Sequence, residues 1–194
     1  MKEGGVSMKQ KDHKSLAYYL IDSVGDCRVW QGRWHRRFFL WGCIFPDFIP
    51  FTYLRGFRQS RAMLGHNARY SFSHIQRSIQ KLEARTKLRM RDFYRLGTLM
   101  HYLADSFTYP HTDAFCGDLQ AHRAYERDLH GQFPNYLRQD RRIAEGTLSE
   151  KSLSEHLLDR RGVYENTTAS CEDDCRQIVH TCTEVFWALC GVQK

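Results

Sequence analysis

The chain has 194 residues, a formal net charge of +7, 42% hydrophobic residues and 13% aromatics. That balance excludes a disordered chain, and the lack of any repeat or low-complexity tract excludes collagen-like and solenoid proteins. Seven cysteines are an odd number at irregular spacing, which excludes a complete disulfide framework, while ten histidines exceed ordinary usage.

The N-terminus is polar and lacks the apolar core of a secretion signal, and no run of 18 apolar residues spans a membrane. A cytoplasmic protein with reduced, mostly buried cysteines is expected. Residues 1–11 read as a flexible tail and residues 12–194 as one domain.

Residues 13–24 put Leu16, Ala17, Leu20, Ile21 and Val24 on one helical stripe. Residues 43–66, with Pro46, Pro50, Gly56 and several aromatics, read as the main irregular stretch, of the kind that often carries function. Helical period returns over 70–90 (Phe72, Ile75, Ile79, Leu82) and over 92–107 (Phe93, Leu96, Leu99, Met100, Leu103, Phe107), which Pro110 closes. Residues 119–138, 149–160 and 170–190 complete the series. Strand-type alternation is scarce, so the class is all-α.

Several polar residues occupy apolar faces. His13 continues the stripe of Leu16, Ala17, Leu20 and Ile21, and so faces the interior. His101 and Asp105 stand four apart and share one helix face, where imidazole and carboxylate can point at one ion. Gly97, one turn earlier, permits a close approach there. The bland alternative is an internal hydrogen bond, but an unpaired carboxylate on so apolar a face would be costly. His111 follows Pro110, where the chain can fold back. His122 and Glu126 form a second pair at the same spacing. Two such pairs with a histidine between them point to a site for several metal ions. Asp47 and His66, by themselves, read as turn and loop residues. Cys171, Cys175 and Cys182 lie on roughly one helical face and read as core packing against the 92–107 helix. His130, one turn past Glu126, is placed to support that carboxylate, whereas His35, His156 and His180 show no partner pattern.

At these residues the sequence resembles the zinc-dependent phospholipase C family, to which nucleases of the S1/P1 type are related. The family pattern of an early His, an Asp, a His, then His-x3-Asp-x5-His and His-x3-Glu is matched by His13, Asp47, His66, His101-x3-Asp105-x5-His111 and His122-x3-Glu126. The block 96–126 carries the most specific wording, and His74 is the alternative to His66. The resemblance implies an all-helical fold with two to three zinc ions in a cleft. Asp47, His66, His101 and Asp105 would hold one ion, and His111, His122 and Glu126 a second. A third would lie between Asp105 and His13, where secreted members add an N-terminal tryptophan. This sequence begins with Met1 and has no tryptophan before His13.

The expected chemistry is attack of zinc-activated water on phosphorus, with Asp47 as ligand and proton acceptor. Phe51, Tyr53 and Arg55 are the candidate substrate contacts, beside Phe48, Phe57, Arg58 and Arg61. The substrate class expected is a phosphate ester, foremost a phospholipid headgroup, with at most peripheral membrane contact and no stable nucleic-acid partner. Glu126 favours this reading, because the related nucleases usually carry Asp there. The alternatives are a single-strand nuclease or nucleotidase on the same metal site, and a non-catalytic metal-binding relative.

Overall fold

In a computed structural model, the residues described are 10–24, 29–30, 32–48, 68–112, 114–139, 152–166 and 170–191. Among these residues seven α-helices run in chain order: α1 Gln10–Ser23, α2 Arg33–Ile44, α3 Ala68–Glu83, α4 Met90–Ser106, α5 Leu119–Gln139, α6 Leu153–Glu165 and α7 Cys171–Cys190. Short 3-10 turns span Phe45–Phe48 and Tyr109–His111. There is no strand among the described residues, as the scarcity of alternation predicts.

The apolar stripe of α4 explains its central place. Phe93, Leu96, Leu99, Met100 and Leu103 are all buried, and so are Ile178, Val179, Cys182, Val185 and Phe186 of α7. Helices α1, α2, α3 and α7 all pack on α4. Cys175 and Cys182 lie in this core as the spacing predicts, with the Cys182 thiol 3.9 Å from the Met100 carbonyl of α4, whereas Cys171 at the start of α7 is only half-buried.

Helix boundaries follow caps. Asp92 marks the start of α4, its Oδ2 accepting from the Arg89 amide at 3.0 Å. The predicted 70–90 helix therefore ends at Glu83, and the chain turns before α4 begins. Ser152 caps α6 by accepting from the Glu155 amide, and Asp118 Oδ1 accepts from the Ala121 amide at the start of α5.

Helix α2 is the element with no predicted counterpart. Its sequence is apolar on two sides, so no single stripe stands out. Phe39, Gly42 and Cys43 face inward, while Trp34, Trp41 and the following Phe45 and Phe48 are exposed. The predicted irregular stretch 43–66 thus begins as the end of α2, and from residue 49 onward it lies outside the described residues.

Helices α2 and α4 touch backbone to backbone. A Cβ on Gly97 would lie 2.1 Å from the Phe39 carbonyl oxygen, and one on Gly42 would lie 2.2 Å from that of Tyr94. Only glycine permits this approach at either position. It is the contact that brings α2 to His101.

Candidate metal centre

Each half of the candidate site is set by local structure. His101 and Asp105 lie one turn apart on α4, in a row of buried residues. The glycine contact places the Cys43 carbonyl at the end of α2 within reach of His101, whose Nδ1–H donates to it at 2.9 Å. That bond fixes the ring and leaves Nε2 with its lone pair facing the site. The turn after α2 then delivers Asp47, with Oδ1 3.6 Å from His101 Nε2. From α1, His13 stacks on His101 with ring centroids 3.9 Å apart, and its Nε2 lies 3.3 Å from Asp105 Oδ1. Asp105 Oδ2 is 3.4 Å from His101 Nε2.

These separations are longer than good hydrogen bonds. Both ring nitrogens of His13, both oxygens of Asp105 and Oδ2 of Asp47 are buried with no hydrogen-bond partner. Buried polar atoms left so are costly. Two atoms each about 2.0–2.1 Å from a tetrahedral zinc ion stand about 3.3–3.4 Å apart. The observed spacings therefore suit atoms that share an ion, and imidazole with carboxylate is the donor chemistry that zinc takes.

Charge is concentrated here. Burial opposes ionisation of Asp105, but the His101 and His13 imidazoles more than offset it and hold its carboxyl well below the usual carboxylate range. Burial alone would lower the His13 pKa, yet Asp105 and Asp47 raise it above the ordinary value. Asp47 is pushed up to about 6, chiefly by burial and then by Asp105 and Glu126, against the opposing pull of His13.

The second half lies on the 3-10 turn after α4 and on α5. His122 Nε2 is 2.9 Å from Glu126 Oε1, and His111 Nε2 is 3.9 Å from the same oxygen. The His111 and His122 rings meet edge to face at 5.2 Å. Burial would raise the Glu126 pKa, but hydrogen bonds from His111 and His122 lower it below the usual value. Among the described residues, the side chains able to hold a metal ion fall into two groups, His13–Asp47–His101 and His111–His122–Glu126. Asp105 stands against the first.

Seven of the sequence-selected residues are thus brought together: His13, Asp47, His101, Asp105, His111, His122 and Glu126. His66, Phe51, Tyr53 and Arg55 lie outside the described residues, as do Phe57, Arg58 and Arg61. His74, the alternative to His66, is exposed on α3, belongs to neither group and sets its ring edge-on to Tyr102.

Supporting residues were harder to see in the sequence. Asp174 is fully buried at the start of α7 and accepts from the Tyr109 amide at 2.9 Å, from Tyr125 Oη at 2.9 Å and from Tyr164 Oη at 2.5 Å. It ties the turn bearing His111 and the helix bearing His122 and Glu126 to α7. In the sequence, Glu172-Asp173-Asp174 reads only as acidic residues at a helix start. Asp12, buried beside His13, lies 2.8 Å from His130 Nδ1 and joins α1 to α5. His130 therefore steadies α1 rather than the Glu126 carboxylate. His156 lies 3.2 Å from Glu184, whose other oxygen accepts from Arg160 at 2.9 Å.

An all-helical bundle with two histidine–carboxylate groups is a fold and a site suited to metal-dependent chemistry. The model of the zinc-dependent phospholipase C family matches residues 12–184, and the chain belongs to that family. No curated protein and no solved structure matches it. Membership makes the chain a hydrolase of the phospholipase C type at the level of the family, with zinc as the implied metal. No helix among the described residues is long and apolar enough to cross a membrane.

Proposed function

We propose that this chain is a zinc-dependent phosphodiester hydrolase that cleaves phospholipid headgroups, releasing a phosphorylated alcohol. The observation that carries this reading is the convergence of His13, Asp47, His101 and Asp105 in a chain of this family, with buried polar atoms of His13, Asp47 and Asp105 lacking hydrogen-bond partners. His13, Asp47, His101 and Asp105 would hold zinc on one side, and His111, His122 and Glu126 on the other. Zinc bound there would supply positive charge to the phosphoryl oxygens and acidify water.

Asp47 is the side chain assigned to take a proton from the attacking water. It is the more exposed carboxylate of the first group, at 11% against 5% for Asp105. In the metal-free chain burial pushes its carboxyl up to about 6, so it takes a proton more readily than Asp105. Asp105, held firmly ionised, serves charge balance rather than proton transfer. The Cys43 carbonyl keeps His101 in the tautomer that presents Nε2.

The test measures metal content, then hydrolysis of a chromogenic phosphocholine ester, a bis-aryl phosphate and single-stranded DNA. Zinc with phosphocholine ester hydrolysis supports the proposal. DNA cleavage without it assigns the site to a nuclease, and bound zinc with no hydrolysis assigns the chain to a non-catalytic relative.

Protons and zinc compete for the same lone pairs, which sets a pH dependence. Asp47 must be ionised, and its raised pKa puts that step near 6. His13 must be neutral, and its raised pKa delays that step to higher pH. Zinc affinity should therefore rise with pH through this range. The expected slope is about tenfold per pH unit for each proton displaced, and competition with a chromophoric chelator at several pH values checks it.

Asp174 gives a further expectation. Asp174→Ala leaves the buried Tyr164 hydroxyl, the half-buried Tyr125 hydroxyl and the Tyr109 amide without this acceptor. It should lower stability by about 3 kcal/mol. It should also weaken zinc at the His111–His122–Glu126 group by about 10–100-fold, because the elements that orient those residues lose their anchor. Tyr164→Phe removes a bond that touches neither ligand-bearing element, so it should lower stability with little change in zinc affinity. Thermal unfolding and zinc titration together separate the two effects.

A further inference from the structure

Half of the large exposed apolar side chains in the described residues are gathered on one stripe. Trp34 is 45% exposed, Trp41 53%, Phe45 46% and Phe48 60%. Spacings of seven, four and three residues put them on one side of α2 and its 3-10 extension. Soluble helices seldom leave such a stripe uncovered without a partner.

The polar residues around it are basic. Arg33, Arg36 and Arg37 are exposed at the start of α2, where no acidic residue accompanies them. The Arg37 guanidinium lies over the Trp34 ring at 5.0 Å and that of Arg33 at 5.7 Å. Tryptophan and phenylalanine beside arginine is the chemistry of the boundary between headgroups and acyl chains. Arginines there complement anionic headgroups, while the indole and phenyl rings enter the boundary.

The same helix serves the metal centre from its other sides. Its last turn offers the Cys43 carbonyl to His101, and Phe45 and Phe48 flank Asp47 in the turn that follows. A surface seated on the stripe would therefore lie beside the end of α2 that carries Asp47.

We infer that the outer face of α2, Trp34, Arg37, Trp41, Phe45 and Phe48 with Arg33 and Arg36, is a docking surface for an anionic phospholipid bilayer. The inference deepens the phospholipid reading above and supplies the route by which a soluble active site meets a lipid substrate. Here a convex helix face with clustered arginines complements a broad negative surface.

The experiment uses the whole chain and vesicles of phosphatidylcholine, with and without phosphatidylserine. Wild type should co-float with the serine-containing vesicles and be released by salt. Brominated lipid should quench its tryptophan fluorescence. Arg33→Gln with Arg37→Gln should weaken vesicle binding by about tenfold or more. Trp34→Ser with Trp41→Ser should abolish both binding and quenching. Neither pair should change hydrolysis of a soluble phosphodiester, because these side chains lie outside the metal centre. If wild type ignores both kinds of vesicle, or self-associates through this face instead, the docking surface is overturned, even if soluble substrates are cleaved. If it docks as described but cleaves none of the test substrates, the docking stands and the proposed reaction fails.

Discussion

Replacing Asp105 by alanine is expected to abolish zinc binding at the His13–Asp47–His101 group and to lower phosphodiester hydrolysis by more than about 100-fold. The reason is geometric. The two oxygens of Asp105 face His13 Nε2 at 3.3 Å and His101 Nε2 at 3.4 Å, so one carboxylate serves both rings. Its loss leaves the two stacked imidazoles with Asp47 as the one remaining carboxylate described in that group. The variant should also be less stable without zinc. A carboxyl held below its ordinary pKa stabilises the fold at neutral pH, and loses that contribution only as pH falls through its lowered value. Removing one partner of a buried charged pair costs about 3–5 kcal/mol. Asp105→Asn keeps the volume and supplies a second measure, so loss of zinc is read on a folded chain. Metal analysis and thermal unfolding of both variants check the expectation. Full zinc content in both would sink the assignment of Asp105.

The second large effect belongs to a residue with no side chain. Gly97→Ala should destabilise the protein by about 3 kcal/mol, although alanine is the better helix former by about 1 kcal/mol. The new Cβ would stand 2.1 Å from the Phe39 carbonyl oxygen, 2.8 Å from the Cys43 amide nitrogen and 2.9 Å from the Gly42 Cα. All three are backbone atoms of α2, so the helices must separate. Separation draws the Cys43 carbonyl away from His101, and zinc affinity should fall with stability. Gly131 in α5 is the control: nothing lies within 4 Å of a Cβ there. Gly131→Ala should stabilise by about 0.5–1 kcal/mol. A melting temperature lower by about 6–12 °C for Gly97→Ala, against a small rise for Gly131→Ala, is the expected pattern.

The parts of this molecule that show in the sequence are those set by helical spacing. His101 with Asp105, and His122 with Glu126, are recognisable because four residues make about one turn, and the structure keeps each pair on one helix. His13 is recognisable because it interrupts an apolar stripe, and it is buried as that position requires. Helix α2 escapes notice because periodicity needs a polar face, and its outer face carries tryptophan and phenylalanine. That same feature makes α2 the candidate docking surface. The hold on His101 also leaves no trace in the sequence, since it comes from a main-chain carbonyl brought close by Gly42 and Gly97. Gly97 is legible as a point of close approach, but not as the seat of α2. Asp174 and Asp12 are illegible for another reason. Their partners stand 49 and 118 residues away in Tyr125 and His130, and local pattern carries no information about such distances.

The central claim is that zinc sits between His13, Asp47, His101 and Asp105, and among His111, His122 and Glu126. Crystals grown with zinc and measured on both sides of the zinc absorption edge locate the ions directly. The expected result is anomalous density within about 2.0–2.2 Å of the ring nitrogens and carboxylate oxygens of both groups. Density only elsewhere, or a zinc-saturated crystal with no density at either group, would contradict it.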